Sequence, residues 1–74
     1  MVVALRLGVA LFTLTYRRGS FPQSEECGSL LSAIARACIM LEAGGCLGFQ
    51  IEQGGNVVMH HAQIIAECGK ANSN

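Results

Sequence analysis

Four thiols, two adjacent imidazoles and a few scattered carboxylates are the side chains of this 74-residue chain that could carry chemistry. Cys27, Cys38, Cys46 and Cys68, with His60 and His61, are the donor types that zinc takes. A zinc site wants paired ligands, however, and no Cys-x-x-Cys occurs, while neighbouring histidines on extended chain point apart. Cys68 follows His61 by two helical turns, about 10 Å of rise, too far for a Cys–His nucleophile pair. Cys46, behind Gly44-Gly45, has no basic neighbour to make it a thiolate. Placed on one helix, Cys27 and Cys38 lie about 16 Å apart and cannot bond to each other. The four cysteines therefore read as free thiols that pack as small hydrophobes, which fits a reducing cytoplasm.

The remaining candidates are weaker. Glu42 and Glu52 sit at the ends of elements without a second carboxylate for acid–base work. Gly44-Gly45-Cys46-Leu47-Gly48 follows a helix and precedes a strand, the wrong order for a phosphate-binding turn. Arg17 and Arg18 would point to opposite faces of a strand, so they form no joint phosphate clamp. Five basic and five acidic residues cancel, with no run of either sign, which removes the electrostatic case for nucleic acid or an anionic membrane. The expectation is no enzyme, no cofactor and no metal.

The elements that would position these residues are easier to read. From Ser24 to Gly44 the apolar residues Cys27, Leu30, Leu31, Ile34, Ala37, Cys38 and Leu41 recur at helical spacing. Ser24 is the expected N-cap, Glu25 and Glu26 suit the first turn, and Gly44-Gly45 supplies the stop. Cys46 to Gln53 alternates, with Leu47, Phe49 and Ile51 on one side. Gln53-Gly54-Gly55-Asn56 is a two-residue hairpin signal, and Asn56 to His60 returns. That register sets Val58 inside opposite Ile51, with Val57 and Met59 outside. His61 to Gly69 reads as a closing helix with Ile64, Ile65 and Cys68 on its stripe, and residues 71–74 as a frayed tail.

The first residues hold an irregularity. Leu5, Leu7, Val9 and Leu11 put the apolar side on odd numbers, whereas Phe12, Leu14 and Tyr16 put it on even ones. With a side-chain period of two, the buried face must switch near Leu11–Phe12. Residues 1–11 are expected to extend the strand or to form a dimerisation arm. The apolar run is too short to span a bilayer, and Arg6 interrupts it as no secretory signal would, so no membrane role is expected.

The order is thus strand, long helix, strand, strand, short helix. The expected fold is a single two-layer α+β domain over residues 1–70, with a small three-stranded sheet, antiparallel or mixed, and both helices on one face. Placing the third strand in the middle makes every pairing antiparallel and is preferred. In layout, the strand ending Tyr16-Arg17-Arg18-Gly19, the Ser/Glu-capped helix, the Gly54-Gly55 hairpin and a terminal helix with Ile64 and Cys68 resemble short reading frames of bacteria and their mobile elements. That resemblance is one of layout and transfers no site residue; an accessory or inhibitor protein of a bacterial mobile element or phage is the kind of interaction module that the apolar excess and the missing catalytic constellation suggest.

At 51% hydrophobic and 14% charged, so short a chain has more apolar surface than a lone copy hides, and self-association is the simplest remedy. The function expected is a non-enzymatic protein-interaction module acting as a homodimer towards a protein partner. Leu5, Leu7, Val9, Leu11, Val57 and Met59 are the candidate interaction residues. The alternative is a small ligand- or metal-binding protein in which Cys46, His60, His61 and Cys68 converge.

Overall fold

The computed structural model describes residues 11–72. They form two helices and a four-stranded antiparallel sheet in the order β1 (Phe12–Arg18), β2 (Phe21–Cys27), α1 (Leu30–Ala43), β3 (Cys46–Gln53), β4 (Asn56–Met59) and α2 (His61–Asn72). The class is α+β, and the expected count of three strands is corrected to four. The strand that the spacing hid is β2, read from sequence as the start of a helix. Gly19-Ser20 closes a two-residue hairpin, with Gly19 at φ 65°, and folds Phe21–Cys27 back along β1 in register from Phe12↔Cys27 to Arg18↔Phe21. Ser24 to Cys27 are therefore committed to pairing with β1, and the helix starts later, at N-cap Ser29, whose side chain accepts from the Ser32 amide at 3.1 Å.

The extra strand also decides the topology. Because β2 reverses the chain before α1 carries it across, β3 returns antiparallel to β1 and pairs with it directly, giving the order β2-β1-β3-β4. The preferred arrangement, with the last strand central, is thus corrected; that strand is an edge. The other edge, β2, contains Pro22, whose missing N–H is tolerated there.

Several predicted features stand. Gly44 ends α1 at φ 81°, its N–H bonded to Met40 O at 3.0 Å. Gly54 and Gly55, at φ 61° and 84°, form the second two-residue turn, with Gln53 opposite Asn56. Two bulges, however, re-aim side chains. Tyr16 lies opposite the additional residue of β3 at Gly48-Phe49, where Gly48 takes φ 63°. Cys46 and Phe49 consequently both face the core, and Leu47, expected inside, is 56% exposed. In β4 the register steps from Glu52↔Val57 to Ile51↔Met59, leaving Val58 as the extra residue. Val58 is exposed and Met59 turns against the core, the reverse of the expected orientation.

Both helices cover one sheet face. Leu14, Tyr16, Phe49 and Ile51 meet Ala33, Ala37 and Met40 of α1, and Ile64 and Cys68 of α2. The two alanines let α1 lie close to the strands. Leu14, Phe49, Ile51 and Ile64 are fully enclosed, each contributing about 1.5–3 kcal/mol of burial. The buried side of α1 is rotated from the expected stripe, so Leu31 is 79% exposed, and Ile65 of α2 also faces outward. Gly69 does not end α2, which continues to Asn72.

Candidate functional site

The reactive groups are mostly committed to holding the fold. Cys38 and Cys68 form a disulfide that joins α1 to α2, with Cα atoms 5.5 Å apart. This corrects the reading of four free thiols: sequence separation says nothing of where α2 docks, and α2 sets Cys68 beside Cys38. Cys46 is buried, and burial together with the nearby Glu25 charge pushes the Cys27 thiol up, so it is not an activated nucleophile.

His61 and His60 flank the entry to α2. The His61 ring stacks on Phe49 with centroids 5.9 Å apart, and its Nδ1 accepts from the Phe49 backbone N–H at 3.1 Å, which fixes the proton on Nε2. The His60 amide donates to Gln63 Oε1 at 2.8 Å, half of a capping box. With Cys68 bonded to Cys38, the set Cys46, His60, His61 and Cys68 does not present four free ligands. Among the described residues no group of three or more His, Cys, Asp or Glu is placed to hold a metal.

On the helix side of the sheet, Glu25 of β2 receives Tyr16 Oη at 2.8 Å and Arg36 Nε at 3.0 Å, with Arg36 Nη2 at 3.4 Å from the oxygen that Tyr16 bonds. Arg36 and then Tyr16, by donating to it, hold the Glu25 carboxyl below the usual range, and the same bond to Glu25 holds the Tyr16 phenol up. The trio ties β1, β2 and α1 together; it stores no reactive proton. Glu25, expected in a first helical turn, is instead an inward strand residue.

Among the described residues, no element covers the sheet face opposite the helices. From the register it carries three rows across the strands: Pro22, Arg17 and Leu47; then Ser24, Thr15 and Gln50; then Glu26, Thr13, Glu52 and Val57. A shallow depression of about 510 Å³ lies over Thr15, Arg17, Pro22, Ser24, Gly48 and Gln50, where Gly48 contributes no side chain. Among the described residues Arg17, Glu26 and Glu52 make no ion pair.

Of the predicted interaction residues, Leu5, Leu7 and Val9 lie outside the described residues, as does most of the expected arm. Leu11 is half-buried just ahead of β1, Val57 stands on the open face, and Met59 packs inward. Sequence reasoning misses the grouping of Arg17, Glu26 and Glu52, because Glu26 joins the sheet only once β2 is recognised as a strand, and it misses Leu31 because the buried side of α1 is rotated from the expected stripe. Among the described residues no helix is long and apolar enough to cross a membrane. Compared with protein-family models, curated proteins and solved structures, the chain matches none.

Proposed function

We propose that this chain is a small non-enzymatic protein-interaction module that acts as a homodimer. The observation that supports the reading is its uncovered apolar side chains: Leu31, Phe21, Ile39 and Leu47 are 79%, 69%, 59% and 56% exposed on a domain of this size. The polar groups that could have served catalysis, Glu25, Tyr16 and His61, are spent on contacts within the fold. Leu5, Leu7, Val9, Leu11 and Val57 are proposed as contact residues. An accessory or inhibitor role in a bacterial mobile element or phage suits such a module. The expectation of a reducing cytoplasm loses its support from free thiols, since the Cys38–Cys68 bond calls for an oxidising compartment or a protected site.

The test is light scattering coupled to size exclusion over a dilution series. A species of twice the 7.8 kDa chain mass that dissociates on dilution is expected. A chain that stays at monomer mass at every concentration overturns the proposal.

A further inference from the structure

We infer that two copies meet through the sheet face opposite the helices, with Arg17 of each entering between Glu26 and Glu52 of the other. The inference rests on the homodimer reading and adds to it the surface and the pairing that make the dimer.

The argument is one of charge and spacing. Arg17 and Thr13 lie on β1, four residues and about 13 Å apart at ~3.3 Å per residue. Thr13 is flanked in register by Glu26 on β2 and Glu52 on β3, whose Cα atoms are about 10 Å apart at two strand spacings. The open face is therefore electrostatically lopsided, with a guanidinium at one end and two carboxylates at the other. Consider a twofold axis lying between two such sheets and running across the strands at the level of Thr15. It reverses the strand direction and lays β1 over β1, so the basic end of each copy falls on the acidic end of the other. Arg17 then sits over Thr13 of the second copy, between the two carboxylates, and can donate to both from its planar fork.

The contact is isologous, so one pairing is made twice and the assembly closes at two. Sheets packed in this way keep their strands within about 30° of alignment at a separation near 10 Å, a gap that an arginine side chain spans. The centre of the contact is made of short side chains, Thr13, Thr15 and Ser24, and the depression at Gly48 admits the opposing surface. Pro22 and Leu47, which flank Arg17, lie over Glu26 and Glu52 of the other copy, so the ends of the contact are polar and the pairing rests on charge. The overlapping footprint, β2, β1 and β3 by about six residues, is on the order of 300 Å² per copy, roughly a third to a half of a standard interface. A weak, salt-sensitive dimer is the consequence.

Charge exchange tests the pairing. Arg17→Glu alone, and Glu26→Lys with Glu52→Lys in one chain, should each weaken self-association by more than about tenfold, because each creates two like-charge clusters per dimer. An equimolar mixture of the two variants should restore the dimer. In that mixed pair, one copy offers its substituted carboxylate to the two introduced lysines, and the other copy keeps Arg17 between two glutamates. All three positions lie on the sheet surface, and the mixture is read by sedimentation against each variant alone. A mixture that stays as monomeric as its components overturns the inference. So does a dimer that ignores Arg17→Glu but is split by Leu31→Glu on α1, an outcome that leaves the homodimer itself standing. A wild-type chain that never dimerises removes both.

Discussion

Removing the Cys38–Cys68 bond is the perturbation with the most predictable size. The two cysteines are 30 residues apart, and closing a loop of that length lowers the entropy of the unfolded chain by enough to stabilise the fold by about 3.6 kcal/mol. A chain of 74 residues is expected to have ~4–11 kcal/mol in all, so this bond supplies between a third and most of the net stability. The dependence should be concentrated in α2, because Ile64 and Cys68 are the buried residues of that helix among those described, and one of them is half of the bridge. Cys38→Ser with Cys68→Ser, or the native chain under a dithiol reductant, should lower the melting temperature by about 15–25 °C. In hydrogen exchange, amides of α2 should lose protection before those of β1 and β3. Thiol titration of the unfolded, unreduced chain should count two groups, Cys27 and Cys46. Four titratable thiols, or a melting temperature that moves by less than about 5 °C on reduction, would refute the reasoning.

Two further outcomes follow from other contacts. Glu25→Gln should cost about 1 kcal/mol in urea unfolding, a modest figure because the Arg36 side chain is 47% exposed and the Glu25 side chain 31%. The associated pH effect has a definite sign: the folded carboxyl is held below its ordinary value of 4.5, so its contribution is complete above that pH and is lost as pH falls through the lower folded value. The Gln variant should therefore flatten the acid limb of the stability profile, and an unchanged limb would mean that the trio is not coupled to folding. Deleting residues 1–10, which hold Leu5, Leu7 and Val9, should weaken dimerisation; intact dimerisation would take those residues out of the contact set.

How much of this was legible in the sequence depended on whether the signal was local. Gly54-Gly55 and Gly44 act through their own dihedral angles, and both turns are where the residues put them. The β3 span, Cys46–Gln53, was equally plain from its ends. Within it, one glycine at positive φ shifted the pleat, so Leu47 exchanged faces with Cys46 although the alternation looked unbroken. Ser24-Glu25-Glu26 is as good a helix opening as it is a strand segment. The arbiter was Gly19-Ser20, a two-residue turn of a type that favours hairpins, but the segment beyond it lacks the β-branched residues that mark a strand. Strand β2 is held by pairing with β1, which beyond Arg17↔Pro22 joins residues more than six apart, and by Glu25 reaching Arg36 eleven residues on. The open face follows the same logic: Arg17, Glu26 and Glu52 come from three strands, and their grouping is invisible until the register is known. The disulfide is the extreme case, set only by where two helices happen to cross.

The margins of the sheet have a consequence for growth. At one border Pro22 interrupts the row of amides that an incoming segment would need, and at the other the kink at Val58 and the immediate entry into α2 leave no straight stretch to copy. Lateral accretion of strands into a fibril is hindered on both flanks, so a concentrated solution of this apolar-rich polypeptide should resist filament growth, and its copies are left to stack broadside.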